Sequence, residues 1–156
     1  MSASRRAQRA PSLHLTVQYA ADAPWLPSRA RLRRWVLAAL ERDAAITLRF
    51  VGAVEGRRLN RSYRGKNHAT NVLTFVYEAM ARGAPLAGDI AVCTPVIARE
   101  AAEQHKRLDA HCAHLVVHGL LHLQGYDHGR DAEARIMETR ETQILARLRF
   151  PDPYAL

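Results

Sequence analysis

Cysteine is scarce in this sequence: Cys93 and Cys112 are the two present, too few and too far apart for a disulfide framework or a Cys-x-x-Cys metal site. Both read as buried apolar residues. Aromatic residues make up 6% of the chain, so base stacking is expected to be minor if the partner is a nucleic acid. Long apolar runs are also missing, and no stretch approaches the roughly 18 residues that a membrane span requires. Residues 1–11 carry Arg5, Arg6 and Arg9 but no apolar segment of the kind a signal peptide needs. They read as a disordered basic arm, and the protein as cytoplasmic.

Acidic residues are thin in the first part of the chain. Residues 1–66 hold 14 basic and 4 acidic side chains, while residues 67–156 hold 9 and 11. That is +10 against −2, within a net charge of +8. A basic half joined to a near-neutral half suits a polyanionic partner on one face. Arginine supplies 21 of the 23 basic residues, a bias that genome composition alone can also produce. With 156 residues and 48% hydrophobic content, residues 12–156 can enclose one core and form a single domain.

Leu13, Leu15 and Val17 alternate with polar residues, the period of a half-buried strand. Ser28 can cap a helix whose apolar residues Leu32, Trp35, Val36, Ala39 and Leu40 recur at three and four, opposite an arginine face that reads as solvated. A second strand is expected over 46–54 with Ile46, Leu48 and Phe50 inward, followed by a short basic helix over 55–64 and a third strand over 71–77. Residues 78–88 read as a loop and 89–93 as a strand ended by Thr94, a cap, and Pro95 at the first helical position. Three helices follow, over about 95–107, 109–124 and 131–149; the middle one is apolar nearly all round and should be buried. Strands and helices mix without strict alternation, which predicts an α+β domain with one mixed, mostly four-stranded sheet against about five helices.

The buried helix ends in His118-Gly119-Leu120-Leu121-His122-Leu123-Gln124-Gly125-Tyr126-Asp127-His128. Residues four apart on a helix lie one above the other, so His118 and His122 can aim at one point. Gly125 can take the left-handed conformation that ends a helix and bring His128 back over that point. Three neutral imidazoles suit one Zn²⁺ per chain and leave a fourth position for water, the mark of a catalytic site and of hydrolysis. Two unpaired imidazoles on an apolar helix would otherwise be costly to bury. Asp127 either orients an imidazole N–H from behind or only caps the turn. The spacing resembles that of metzincin proteases, but Gly119 occupies the position of their glutamate base; it leaves room for a substrate or for a tightly packed strand. His114 and His111, one and two turns earlier, either serve as acid or base or simply occupy the polar start of the helix. Arg64 can hold two phosphate oxygens at once, with Arg57, Arg58, Arg61 and Lys66 around it as an RNA backbone grip.

The histidine motif, together with Leu59-Asn60-Arg61-Ser62-Tyr63-Arg64, Thr70-Asn71-Val72-Leu73-Thr74-Phe75, Gly88-Asp89-Ile90 and the last-helix residues Glu133, Met137, Glu141, Ile144 and Leu145, resembles the YbeY family of bacterial zinc-dependent endoribonucleases. The resemblance spans about residues 48–148. It implies zinc at the mouth of a basic cleft, ligated by His118, His122 and His128, with Arg64 as the functionally important arginine. It also implies cleavage of single-stranded RNA, processing of the 3′ end of 16S small-subunit ribosomal RNA, and a role in ribosome assembly and quality control. The partners it implies are ribosomal small-subunit components and a ribosome-associated GTPase. Asn67 stands where many relatives have Asp, which removes any ion pair made there with Arg64 or Lys66.

The leading reading is therefore a metal-dependent endoribonuclease with Arg64 and, secondarily, His114 as catalytic residues. A small metallopeptidase and a non-catalytic RNA-binding assembly factor with structural zinc are the competing readings.

Overall fold

The computed structural model describes residues 9–77 and 84–155. Most of the expected basic arm, and residues 78–83 of the expected loop, lie outside the described residues. The alternation at Leu13 to Val17 forms β1 (Leu13–Tyr19). The Ser28 side chain accepts a hydrogen bond from the Arg31 backbone N–H at 3.2 Å and starts α1 (Arg29–Ala39); such a cap contributes about 1 kcal/mol. Leu32, Trp35, Val36 and Ala39 face inward from it.

Strand β2 (Ala44–Val51) buries Ile46, Leu48 and Phe50, as their alternation predicts, but it ends three residues before the expected Val54. Gly52 caps α2 (Ala53–Arg64) instead, so the basic helix begins two residues early and Val54 lies exposed on it. Strand β3 (Val72–Tyr77) precedes β4 (Leu86–Cys93), which starts before the expected Asp89. Gly88 reads as a loop residue yet sits inside β4, because a Cβ there would come within 2.9 Å of the Phe75 carbonyl oxygen and 3.0 Å of the Leu123 side chain. Close approach, rather than a turn, selects that glycine. Helix α3 (Thr94–Glu103) has Cys93 as its cap and Thr94 inside it, one residue off the expected start.

The sheet runs β1-β2-β4-β3. β1 pairs with β2 and β2 with β4 in parallel, while β3 runs antiparallel to β4, which makes the sheet mixed and the fold α+β. Helices α1, α4 (Leu108–Leu123) and α5 (Asp131–Arg147) share one core with the sheet, built on Trp35, Phe50, Ile90, Leu120, Leu121, Met137 and Ile144. Leu120 is fully buried, and replacing it with Ala would cost about 2–5 kcal/mol. Cys93 and Cys112 are buried and unbonded; burial pushes the Cys112 thiol up to about 12. A smaller cluster of Val51, Cys93 and Val96 with Leu59 and Ala69 seats α2. The Arg49 guanidinium grips the Glu55 carboxylate through two bonds of 2.8 Å, fixing the first turn of α2 to β2. Among the described residues, no helix is long and apolar enough to cross a membrane.

Candidate metal centre and cleft

Helix α4 carries its histidines to the point where it stops. Gly125, at φ 99°, takes the left-handed conformation; its N–H donates to the His122 carbonyl at 3.1 Å and the Tyr126 N–H donates to the Leu121 carbonyl at 3.1 Å. These are the two bonds of a Schellman stop. Asp127 Oδ1 then accepts from the backbone N–H groups of His128 at 2.7 Å and Gly129 at 3.2 Å, and those bonds hold its carboxyl below the usual range. The turn brings the His128 ring to 5.4 Å from that of His118 and 6.2 Å from that of His122. Imidazoles bound tetrahedrally at a zinc–nitrogen distance of about 2.0–2.1 Å have centroids roughly 5–6 Å apart, a range that the first distance meets and the second slightly exceeds.

Two of the rings have a hydrogen-bond acceptor behind them that selects a tautomer of the neutral imidazole. Glu141, fully buried on α5, lies 3.2 Å from His118 Nδ1 and 3.1 Å from His114 Nε2, and it accepts from the Tyr154 hydroxyl at 2.5 Å. Burial alone would raise this carboxyl, but the hydrogen bonds from His114, His118 and Tyr154 outweigh it and bring it to about 2. An ionised carboxylate only accepts, so the neutral His118 ring that faces it carries its proton on Nδ1 and offers Nε2 as the lone pair. His122 Nδ1 faces the Tyr126 carbonyl at 3.2 Å, which imposes the same tautomer. Metal-binding histidines are held in this way, by a carboxylate or a carbonyl on the nitrogen remote from the ion.

The tightest set of ligand atoms is His122, Asp127 and His128, all within 4.8 Å of one another. His118 stands outside that set but lines the same cavity as His122 and His128, whereas Asp127 does not line it. Oδ1 of Asp127 is committed to the turn, and its carboxylate orients no imidazole among the described residues. Between the two roles weighed for it, capping is the one the hydrogen bonds express.

The cavity has a volume of about 500 Å³. The three histidines share its lining with Tyr63 and Arg64 at the end of α2 and with Thr70 to Phe75. Asn60, fully buried, donates to the His68 carbonyl at 2.7 Å and anchors the loop that follows Arg64. Arg64 lies on the cavity wall; Arg57, Arg58, Arg61 and Lys66 are exposed on α2 and the loop beyond it but do not line it. None of these five makes an ion pair among the described residues. Asn67 is exposed in the same loop.

His114 does not line the cavity. It stands behind His118 with its ring nitrogen on Glu141, which leaves it no direct path to a bound substrate. His111 is buried and contacts Glu100 at 3.1 Å, and Glu100 in turn accepts from Asn71 at 3.1 Å; the three tie α4, α3 and the start of β3 together. Burial, only partly offset by Glu100, holds the His111 imidazole below its ordinary value. Gly119 answers to packing: a Cβ there would meet Ile90 and Thr74 at 3.3–3.4 Å, so the helix lies close against β4 and β3.

Sequence reasoning gave Glu141 no role. A signal was present, since Met137, Glu141, Ile144 and Leu145 follow one helical face and a lone acid inside an apolar stripe implies a buried partner.

The model of a family described as Endoribonuclease YbeY matches residues 28–149. The chain belongs to the YbeY family. The Endoribonuclease YbeY of Aromatoleum aromaticum is 60% identical over 146 residues, covering 92% of this chain and 93% of its own length. That of Nitrosomonas eutropha is 56% identical, covering 91% and 99%, and that of Thiobacillus denitrificans 57%, covering 93% and 98%. The solution structure of TM1509 from Thermotoga maritima shares the fold, with a TM-score of 0.53 at 21% identity over 90% of this chain and 100% of that one. Membership in the YbeY family agrees with the likeness carried by the histidine and arginine motifs.

Proposed function

We infer that this protein is a zinc-dependent endoribonuclease that cuts single-stranded RNA, with residues 12–156 as its one catalytic domain. The observation that carries this reading is the pairing, across one cavity, of imidazoles whose tautomers are set from behind with an arginine that has no acidic partner among the described residues. The names of its relatives add that they are endoribonucleases.

His118, His122 and His128 are the proposed ligands. They would hold the zinc, whose chemistry there would be Lewis-acid polarisation of a phosphoryl oxygen and acidification of water. Arg64 holds the phosphodiester by two parallel N–H···O bonds and balances the charge that develops on it. Arg57, Arg58, Arg61 and Lys66 attract the flanking backbone without reading sequence. Glu141 keeps His118 in its ligating tautomer, and His114 and Tyr154 keep Glu141 ionised. His114 is thus a positioning residue rather than the acid or base first weighed for it. No carboxylate lines the cavity among the described residues and Gly119 is packed against the sheet, so the arrangement lacks the glutamate base of a zincin peptidase.

The family likeness further suggests 16S ribosomal RNA 3′-end maturation and ribosome quality control as the setting. Small-subunit components and a ribosome-associated GTPase would be the partners, and the cytoplasm the compartment. The deciding assay is purified protein, zinc-loaded and stripped, on single-stranded RNA beside His118→Ala. Cleavage should need both the metal and His118. Equal cleavage by the loaded wild type and His118→Ala would point to a contaminant and reject the reading.

A further inference from the structure

The proposed backbone grip explains affinity for any nucleic acid but gives no reason to prefer an unpaired strand. A second feature of the same cleft supplies one. Tyr63 ends α2 beside Arg64, and its ring lies 4.5 Å from that of Phe75 on β3, tilted by 56°. Tyr63 is 67% exposed, the most open of the exposed tyrosines Tyr19, Tyr63, Tyr77 and Tyr154, so one face of a ring backed by Phe75 is available to a ligand. No hydrogen bond among the described residues uses its hydroxyl.

The position of the pair is what sets it apart. Tyr63 and Phe75 line the histidine cavity and also a second cavity of about 520 Å³, formed where α2 overhangs the other face of the sheet between Leu59 and Ala91. The two rings thus form a ridge between two hollows, one holding the histidines and Arg64, the other walled by strands. A strand whose phosphate sits on Arg64 must pass its neighbouring nucleotides along the cleft, and the ridge is the aromatic surface it meets there. Arg57, Arg58, Arg61 and Arg64 of α2 have no ion-pair partners among the described residues, and the two carboxylates of the second hollow, Glu55 and Asp89, are engaged by Arg49 and Tyr77, so the histidine side of the ridge suits a polyanion and disfavours an apolar peptide.

Resting on the ribonuclease reading, we propose that Tyr63, backed by Phe75, is a nucleobase platform: a base next to the phosphate held by Arg64 stacks on the exposed Tyr63 ring. A base within a duplex already has both faces covered, so only an unpaired one can use the platform. The selection for single strands is therefore made by this ridge, and it is tolerant of sequence because every base has a π face.

Replacing Tyr63 with Leu keeps an apolar cover over Phe75 but removes the π surface, whereas Tyr63→Phe keeps both. The test measures stopped-flow binding of zinc-loaded protein, before cleavage, to single-stranded oligoribonucleotides. One is intact, others carry an abasic residue at each position in turn, and a last is a duplex. Wild type should bind the intact strand about 10-fold more tightly than the strand abasic at one position. Tyr63→Phe should match wild type. Tyr63→Leu should lose about 10-fold on the intact strand and discriminate neither the abasic position nor the duplex. If wild type binds intact and abasic strands alike, or if Tyr63→Leu binds like wild type, the platform is wrong while the ribonuclease reading stands. If wild type binds no RNA at all, both fall. The abasic comparison on wild type decides the matter even if Tyr63→Leu fails to fold.

Discussion

The two walls of the cleft differ in how much of their geometry is settled before any ligand arrives. On the α4 side, His118 is held by Glu141, Glu141 by His114 and Tyr154, and His122 by the Tyr126 carbonyl. On the α2 side, the arginines project into solvent with no ion pair among the described residues, on a helix fastened mainly through Arg49–Glu55 and the small cluster at Val51 and Cys93. The first wall suits an ion, whose bonds tolerate displacements of tenths of an ångström. The second suits a flexible polyanion, where long side chains adjust to the phosphates and the attraction is broad in reach. Rigidity sits where coordination needs it, and adaptability where the substrate varies.

Substitutions on the two walls should therefore fail in different ways, and the largest effect belongs to the histidines. His122→Ala is expected to drop zinc from one per chain to nearly none by elemental analysis. It should also abolish the rise in melting temperature expected when zinc is added to the wild type, because metal binding is folding free energy. Full retention of zinc would break the contrast at its root. Next comes Arg64→Glu, expected to lower single-strand cleavage about 100-fold or more with zinc content and circular dichroism unchanged. Equal rates for it and wild type would remove the phosphate clamp.

The third test probes the support behind the histidines. Glu141→Gln can still meet one donor but no longer imposes the tautomer on His118, so zinc affinity, measured by chelator competition, should fall about 10–100-fold. Tyr154→Phe should do the same more weakly. Unchanged affinity in both would show that the α4 wall is not preorganised. A fourth measurement sharpens the comparison through salt. Removing Arg57, Arg58 and Arg61 together should flatten the slope of log affinity against log salt by up to about 2, at roughly 0.7 per lost phosphate contact on a single strand, while Glu141→Gln should leave the slope alone.

The smallest effect concerns pH. The folded His111 imidazole lies below its ordinary value, chiefly because it is buried. The unfolded chain therefore takes up its proton first as the pH falls, and stability is full above the ordinary histidine range and declines on passing below it. Melting of the metal-stripped protein should shift down by a few degrees more between pH 7 and 5.5 for wild type than for His111→Phe. Identical shifts would mean that His111 protonates equally well in both states.

How much of this was legible in the sequence follows from the range of the forces involved. The stop at Gly125, the cap at Ser28 and the inward side of β2 depend on residues within one turn or one strand, and each stands where its local pattern places it. Gly88 misled because one residue type serves both turns and close packing; only its approach to Phe75 and Leu123 separates the two. Gly52 ended β2 early because the next helix needed a cap. The three histidines were readable because their spacing is helical. Glu141 was not, since it acts across 23 and 27 positions of sequence on His118 and His114. Tyr63 and Phe75 were visible as residues but not as a pair, because α2 and β3 meet only in the folded chain.

Glu141 and Tyr154 also have a meaning in time. A ribosome makes His118 before Glu141, and Tyr154 36 positions after that histidine, an interval of about 2–7 s at 5–20 residues per second. His122 meets its Tyr126 carbonyl within the same local turn, whereas His118 has no group to set its tautomer until Glu141 has been made and α5 has folded back. On the proposed zinc reading, the support behind His118 is therefore the last part of the site to be completed. Nascent chains stalled on a linker long enough to bring residues 1–140 out of the exit tunnel should consequently bind zinc more weakly and exchange it faster than completed ones, which a chelator chase on stalled and released chains would measure.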